Sequence, residues 1–385
     1  MRVAHVITRL IVGGAQENTI ATVLGLRSKP GCDVFLISGP TTGAEGSMEP
    51  AVLKAGVNLQ LVPELVRPVH PLKDFIALRK LTALFRAQKL NVVHTHSGKA
   101  GVLGRLAARR AGVPVIIHTI HGPSFGAFQG ALANWIFTRA ERRAAKATTH
   151  FISVADAMTQ QYLAAGIATP DRYTTIRSGF DIGPYLRAEN DPALRAQFGF
   201  TPDDIIIGKI ARLFELKGHD DLLDVAPALV RNEPRLKFLF LGDGPWRERL
   251  EQRVRELKLS GHVHFAGLVP PSEVARHIGI MDMLVHLSRR EGLPRALPQA
   301  LAAGKPVIAF DADGAREVCL TGKTGYLVRV GDNQELAQAI RQLASNPELR
   351  RKLGGAGQAL VREQFPTQRM VDSIHELYQR LLKTS

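Results

Sequence analysis

The sequence predicts an α/β protein of two tandem Rossmann-like, doubly wound domains that face each other across a cleft. Short β-branched runs alternate with helical stretches, which indicates βαβ units and parallel sheets. The alternation breaks once, near the middle, and 385 residues suffice for two or three domains. Because ligands of open parallel sheets bind beyond the carboxyl ends of the strands, a cleft between two such sheets is the expected active site.

The first domain is predicted over residues 1–180. Its first ten residues alternate apolar and polar side chains, and a helical period follows. Further strands are predicted at 33–38, 57–62, 91–96, 113–119, 150–154 and 173–178, with helices at 73–89, 98–111 and 129–147. This series has the length and order of a complete doubly wound sheet.

The pattern then changes over residues 181–204, which are rich in Gly, Pro and Asp and indicate a linker followed by a short helix. A second α/β domain is predicted over 205–365, and a C-terminal helix, with packing back on the first domain as an option, over 366–385. The strands of the second domain are predicted at 205–213, 236–242, 263–267, 283–288, 306–310 and 325–330.

The composition narrows the class of protein. A hydrophobic fraction of 45% excludes general disorder. The net charge is +15, and residues 1–180 carry most of it, with about 21 basic and about 9 acidic side chains. This excess indicates either an anionic partner or simply solvated basic faces.

Targeting and redox signals are few. Cys32 and Cys319 can build neither a disulfide framework nor a CxxC metal site. The N-terminus does not have the pattern of a signal peptide, and no apolar run reaches about 18 residues. The expected location is the cytoplasm, with peripheral attachment to the inner face of the membrane as an option.

Glycine loops and cations follow several predicted strands. Gly13 and Gly14 lie at the first strand-to-helix turn, where they either admit a phosphate or only form a tight turn. Arg212 and Lys217 flank the corresponding turn of the second domain and can clamp a diphosphate or remain solvated. Gly242, in LGDGP, fits a structural turn as well as a ligand contact.

The segment SRREGLPRALPQALAAGKPV carries the most information. Glu291, Gly292 and Pro294 indicate a loop and a helix start, and Gln299 lies eight residues after Glu291. Eight helical residues span about 12 Å, roughly the distance between the sugar and the ribose of a nucleotide sugar. One polar residue can therefore hold each end of such a donor.

Four histidines fall at or just beyond the ends of two strands: His94, His96, His118 and His121. Three interpretations stay open, namely a metal site, structural histidines, and one residue, His121 before Gly122, that faces a reacting group. The DAD sequence at 311–313 resembles a metal-binding D-x-D signature but is interpreted as a chance match.

Taken together, GGAQ, HTIHG, RLFELKG, GDGP and the EG.P…AL..GKPV segment resemble a family 4 glycosyltransferase of the GT-B fold, in the expected order along nearly the whole chain. The resemblance implies a retaining glycosyltransferase that moves a hexose or N-acetylhexosamine from a UDP- or GDP-sugar to an acceptor hydroxyl. It also implies polysaccharide or glycolipid assembly, no metal at the catalytic centre, and no cofactor beyond the donor.

The resemblance also implies roles for residues. Arg212 and Lys217 should grip the diphosphate opposite Gly14, His121 should lie by the transferred sugar and the β-phosphate, and Glu291 should bind sugar hydroxyls. The remaining donor contacts are expected at Gly13, Gly242, Gly267, Leu268, Gly292, Leu293, Pro294 and Gln299. The first domain should handle a carbohydrate or lipid-linked acceptor. Independently of the resemblance, its basic, partly apolar helices suit either an anionic membrane surface or a lipid-linked pyrophosphate acceptor.

One position departs from the family pattern, which has a second glutamate where this chain has Gln299. A glutamine oxygen still accepts hydrogen bonds from ribose hydroxyls, but a neutral acceptor is weaker than a charged one. Two alternatives remain, a GT-B-fold nucleotide-sugar epimerase and a basic nucleic-acid-binding protein. The aromatic content is only 6%, and the sequence contains no zinc knuckle or RNP-like string. No nucleic-acid partner is therefore expected.

Overall fold

A computed structural model describes residues 1–42, 46–126 and 128–384. The chain forms two compact units. The first comprises Met1–Phe180 with Thr367–Ser385, and the second Asp181–Pro366. Each unit is a twisted, wholly parallel sheet with helices on its faces, as the alternating pattern predicts.

The first unit contains a seven-stranded sheet in the order β3-β2-β1-β4-β5-β6-β7. Its strands are β1 Arg2–Ile7, β2 Asp33–Ser38, β3 Asn58–Leu61, β4 Val92–His96, β5 Val115–Ile120, β6 His150–Ser153 and β7 Tyr173–Thr175. The central strands are buried almost throughout because helices cover both faces, and most of their side chains are apolar. The strand order reverses between β1 and β4, and this point is where such sheets bind ligands.

The helices of this unit are α1 Gly14–Arg27, α2 Glu49–Lys54, α3 Pro71–Gln88, α4 Gly98–Ala111, α5 Ala131–Ala145 and α6 Asp156–Ala164. The last helix of the chain, α15 Thr367–Lys383, also belongs here and packs on α1. Its apolar face contributes Met370, Val371, Ile374, Leu377 and Tyr378 to the core of the first unit.

The second unit contains a six-stranded sheet in the order β10-β9-β8-β11-β12-β13. Its strands are β8 Ile205–Ile210, β9 Leu236–Leu241, β10 Val263–Gly267, β11 Met283–His286, β12 Val307–Phe310 and β13 Gly325–Val328. Its helices are α7 Gly183–Leu186, α8 Pro192–Gln197, α9 His219–Asn232, α10 Arg247–Glu256, α11 Val274–Gly279, α12 Ala296–Ala302, α13 Asn333–Ala344 and α14 Pro347–Gln364.

Residues 181–204, predicted to be a linker, pack within the second unit. Tyr185 on α7 is buried, and the buried Arg195 on α8 donates to the carbonyl oxygens of Thr201, Asp204 and Ile280 at 2.7–3.3 Å. The Gly, Pro and Asp content therefore reflects short helices with tight connections. Among the described residues, no helix combines the length and the apolar character needed to cross a bilayer.

Candidate functional site

The second unit brings two predicted site loops together at the point where its strand order reverses. Strands β8 and β11 are neighbours, and the chain leaves them toward opposite sides of the sheet. The loop after β8 carries Lys217, and the loop after β11 carries Glu291. Both carboxyl ends lie at the same edge, which is the expected ligand-binding edge of a doubly wound sheet.

A glycine allows the Lys217 loop to approach β11 closely. Glu215–Lys217 form a single 3-10 turn, and Gly218 follows with φ +64° before α9 begins. A Cβ at this glycine would lie 2.2 Å from the carbonyl oxygen of Leu287. Only glycine fits here, and its tight turn places the N-terminus of α9 beside the end of β11.

Lys217 and Glu291 form a direct ion pair. The Nζ of Lys217 contacts Oε1 of Glu291 and lies 3.4 Å from Oγ of Ser288. The backbone N–H of Glu291 donates to Oδ2 of Asp313 at 2.7 Å, which holds the loop in place. Burial alone would raise the pKa of Glu291, but Lys217 and its neighbours lower it overall, so the carboxylate is ionised at neutral pH.

Three buried side chains surround this pair, and the sequence reasoning missed all of them. Burial, with the nearby Lys217 charge, lowers the pKa of Lys209 on β8 to about 7. His286 ends β11 with Nε2 3.7 Å from Oε1 of Glu291, and burial lowers its pKa to about 4. Burial lowers the pKa of His219, at the start of α9, to about 2. Their only sequence signal is a basic residue within or beside an apolar strand, such as Lys209 in IIIGKI.

The structure places Arg212 differently from Lys217. Arg212 is exposed, and its guanidinium carbon lies 5.0 Å from the ring centroid of Phe214. The loop around it is fixed by backbone bonds: the N–H of Leu213 donates to the carbonyl of Asp243 at 3.1 Å, and that of Trp246 donates to the carbonyl of Leu213 at 3.1 Å. The two predicted loops 212–218 and 241–245 are therefore adjacent.

Gly242 and Gly267 join the ends of β9 and β10. The N–H of Gly242 donates to the carbonyl of Gly267 at 2.8 Å, and a Cβ on Gly242 would lie 2.2 Å from the carbonyl oxygen of Ala211. This close approach supports the structural interpretation of Gly242. Gly267 has φ +71°, and a Cβ there would lie 4.0 Å from a guanidinium nitrogen of Arg247; the next residue, Leu268, is exposed. An accessible loop of this kind can receive a flat ring.

The Glu291 loop leads into α12, on which Gln299 is buried. The carbonyl of Gly292 accepts from the N–H of Gly314 at 3.1 Å, and Leu293 and Pro294 complete the turn before α12. The Nε2 of Gln299 donates to the hydroxyl of Tyr185 at 2.7 Å. The sequence reasoning did not anticipate this partner, which comes from the segment predicted to be a linker.

In the first unit, Gly13 ends the loop that follows β1, and Gly14 is the first residue of α1. Gly13 is extended, with φ 175°, and neither glycine has the left-handed conformation of the tight-turn interpretation. A Cβ on Gly14 would meet no described atom within 4 Å. The N-terminus of α1 is therefore open for a close backbone contact with an anion.

His121 follows β5 and is half-buried. Its Nε2 lies 3.0 Å from Nδ1 of His96, and burial lowers the pKa of His121 to about 4. Behind it, His5, His94 and His96 place ring nitrogens within 4.8 Å of one another, close enough to hold a metal ion. These nitrogens also hydrogen-bond to their neighbours, and burial lowers the pKa of each ring, so all three are neutral.

The DAD carboxylates have protein partners. Asp311 accepts two hydrogen bonds from Arg316, at 2.9 and 3.0 Å, and Asp313 accepts from the backbone of Glu291. These contacts hold both carboxylates against neighbouring groups of the protein.

Comparisons with known proteins cover both units. The family described as "Glycosyl transferases group 1" matches residues 190–360, and "Glycosyl transferase 4-like domain" matches residues 13–179. EpsD of Bacillus subtilis (strain 168), whose name assigns it provisionally to the glycosyltransferases, is 31% identical over 327 residues, or 82% of this chain and 83% of EpsD. An Escherichia coli protein named UDP-Gal:alpha-D-GlcNAc-diphosphoundecaprenol alpha-1,3-galactosyltransferase is 26% identical over 98% of this chain and 96% of its own.

Solved structures show the same fold. The crystal structure of Anabaena HepE in complex with UDP superposes with a TM-score of 0.83 at 22% identity, covering 99% of this chain and 100% of HepE. Together with the sequence matches, this establishes that the chain belongs to the glycosyltransferase 4-like family and has its GT-B fold.

Proposed function

We propose that the chain transfers a hexosyl or N-acetylhexosaminyl group from a UDP- or GDP-sugar to an acceptor hydroxyl, with retention of anomeric configuration. The observation that supports this most directly is the Lys217–Glu291 pair at the point where the strand order of the second sheet reverses. It places a cation beside an ionised carboxylate, and a glycosyl donor needs one group for its phosphates and one for its sugar hydroxyls.

The cationic side of this pair suits a diphosphate leaving group. Negative charge grows on the β-phosphate as the glycosidic bond breaks, so fixed positive groups lower the barrier. Lys217 and the N-terminal N–H groups of α9 supply such charge, and Lys209, with its pKa near 7, adds a partial charge beneath them. In this proposal Arg212 reaches the phosphates from the exposed side of the same loop.

The carboxylate side suits the sugar. An ionised Glu291 accepts hydrogen bonds from hydroxyl groups, and its fixed position beside Lys217 would orient the anomeric carbon toward the acceptor. Gln299 would accept from the ribose through Oε1 while its Nε2 is held by Tyr185. The loop at Gly267 and Leu268 would receive the base. A phosphate oxygen of the leaving group would take the proton of the acceptor hydroxyl.

Lys217 and the α9 N-terminus, rather than a metal ion, would neutralise the leaving group. Asp311 and Asp313 already have protein partners, so the D-x-D sequence would not supply metal ligands. Turnover should therefore be unchanged in EDTA after dialysis. An activity that is lost with EDTA and restored by Mn²⁺ or Mg²⁺ would contradict this part of the proposal.

A thermal-shift screen tests the donor. UDP, GDP, ADP and their sugars are added to the full chain, and a ligand at about 100 times its Kd should stabilise the fold by about 2.7 kcal/mol. UDP is the expected nucleotide, since the Escherichia coli relative is named for UDP-Gal and HepE was solved with UDP. The anomeric configuration of the product, read by NMR, tests retention. Retention of the chain on DNA without any nucleotide shift would favour nucleic-acid binding instead.

We further propose that the first unit binds an anionic lipid surface, and that this surface carries the acceptor for polysaccharide or glycolipid assembly. The second half of α5 is anchored by the buried ion pair of Glu141 with Arg105, at 2.6 Å. Its first half exposes Leu132, Trp135 and Ile136, by 71%, 57% and 47%, on one helical stripe. The guanidinium of Arg139 lies 5.0 Å from the Trp135 ring centroid, and the basic excess of residues 1–180 complements anionic headgroups.

Vesicle flotation tests this surface. The wild type should float with phosphatidylglycerol vesicles at low salt, and the double variant L132S/W135S should not. Leu53→Ser on α2 changes a leucine that is 59% exposed and serves as the matched control. Equal flotation with neutral and anionic vesicles, or equal loss in the control, would refute the lipid surface without affecting the donor site.

A further inference from the structure

A row of buried histidines lies directly behind His121 in the first unit. His96 is on β4, His5 is on the neighbouring β1, and Tyr378 reaches both strands from α15. His5, His96 and Tyr378 are at most 1% exposed. None of them belongs to the donor site proposed above, but the row ends on a residue expected to meet the sugar, so the following inference rests on that proposed function.

The hydrogen bonds of His121, His96, His5 and Tyr378 form one continuous series, the histidine relay. Nε2 of His121 lies 3.0 Å from Nδ1 of His96, and Nε2 of His96 lies 3.0 Å from Nδ1 of His5. Nε2 of His5 lies 3.4 Å from the hydroxyl oxygen of Tyr378. That hydroxyl also makes a short contact with Nδ1 of His94, whose Nε2 lies 2.6 Å from Oγ1 of Thr119.

Because each ring is neutral, all hydrogen bonds of the relay must run in the same direction. Burial lowers the pKa of each ring well below its ordinary value, to about 3 for His5 and about 4 for His121. A neutral imidazole has one N–H donor and one acceptor nitrogen. Each ring in the row must therefore donate on one side and accept on the other, and the choice at one end fixes all the others.

The tyrosine makes that choice. Its hydroxyl has a single proton, which can point either to Nδ1 of His94 or to Nε2 of His5. O–H donors make closer contacts than N–H donors, and His94 is the nearer partner, so the proton is assigned to the His94 side. The His5 Nε2–H then donates to the Tyr378 oxygen. It follows that His96 donates to His5 through Nε2–H, and that His121 donates to His96 through Nε2–H.

We infer that Tyr378, His5 and His96 are positioning residues that hold His121 as its Nε2–H tautomer, leaving Nδ1 as a neutral hydrogen-bond acceptor. Such an atom accepts from a hydroxyl but gives nothing to an ionised phosphate oxygen, which carries no proton. Of the two groups expected near His121, the relay therefore selects a sugar or acceptor hydroxyl over the β-phosphate.

NMR of the full chain tests this directly. Long-range ¹H–¹⁵N spectra of ¹⁵N-histidine-labelled protein at pH 7, with His121→Asn for assignment, should show a neutral His121 protonated at Nε2. Tyr378→Phe keeps the ring but removes the hydroxyl, and it should shift the His121 signals toward a tautomer mixture. We expect kcat to fall about tenfold, the lower end of the loss found when the partner that orients a metal-bound histidine is removed, while the KM for the donor stays within about twofold.

Tyr173→Phe provides the matched control, because Tyr173 belongs to the same unit and its hydroxyl donates to the backbone oxygen of Ile167, outside the relay. It should leave the His121 signals and kcat unchanged. A wild-type His121 that is protonated at Nδ1, or that carries two protons at pH 7, would overturn the inference without any variant having to fold.

Two further outcomes distinguish a failure of the relay from a failure of the transferase proposal. If the purified chain carries one equivalent of Zn²⁺ and removing it moves the signals of His5, His94 and His96, these rings are metal ligands and the relay is refuted. Failure of the transferase proposal would instead appear as loss of the UDP thermal shift. The tautomer of His121 is readable in either case, so the two failures are distinguishable.

Discussion

Replacing Lys217 with Met removes the charge at the centre of the proposed donor site while keeping most of the side-chain volume. Two effects are expected. Glu291, whose side chain is 25% exposed, loses its ion-pair partner, which should cost about 1 kcal/mol and lower Tm by about 2–4 °C. The leaving phosphate loses a fixed cation, which should lower kcat by about 10²–10³-fold, or about 2.7–4 kcal/mol of transition-state stabilisation.

The assay measures release of the nucleoside diphosphate together with the thermal shift produced by UDP. Lys237→Met is the matched control. Lys237 is the second residue of β9, so it lies at the amino-terminal end of the strands, away from the site, and its Nζ donates to the carbonyl of Gly261 at 2.9 Å. It should retain both signals. Wild-type turnover in Lys217→Met, or an equal loss in both variants, would show that this cation does not act on the phosphate.

Three further predictions test neighbouring features. Gly14→Ala should leave Tm unchanged, because its Cβ meets no described atom within 4 Å, but should raise the donor KM if the backbone approaches phosphate; an unchanged KM would leave only a structural role. Gln299→Glu should tighten UDP about 3–10-fold in calorimetry by restoring a charged ribose acceptor, whereas weaker UDP binding would show that the cost of burying the charge prevails. Lys209 has a folded pKa of about 7, below its ordinary 10.5, so the unfolded chain binds more protons between these values and stability should rise with pH by about 2–4 °C in Tm per unit. Lys209→Met should abolish that rise, and a persistent slope would assign it to another group.

Much of the fold was readable from periodicity. The helix 98–111 and the strands 33–38 and 263–267 were predicted with the bounds that the structure shows. Other strands end two or three residues early, as at Ile210 and His286, because the chain turns into a site loop there although Leu213 and Leu287 are still buried. Burial continues past the last ladder hydrogen bond, so hydrophobicity alone overestimates strand length.

In the segment 181–204, by contrast, composition underestimates how much of the chain is packed. Its Gly, Pro and Asp content resembles a linker, but Tyr185 and Arg195 bury their side chains against residues about 85–115 positions away. No local pattern reports such distant partners. The same holds for three residues near the Lys217–Glu291 pair, namely Ser288, Asp313 and Lys209. No sequence pattern identifies them, and only the folded structure shows that they lie beside this pair.

The order of motifs along the chain determined the fold class, the family and the identity of the residues at the strand ends, because alternation and loop chemistry are local properties of a sequence. Tertiary structure decided which of these residues meet. It joined Lys217 to Glu291, set Gln299 against Tyr185, and returned the last helix to the first unit so that Tyr378 hydrogen-bonds to His5. Hydrogen-bond direction and the ionisation of buried groups depend on contacts across tens to hundreds of residues, and only the folded chain fixes those contacts.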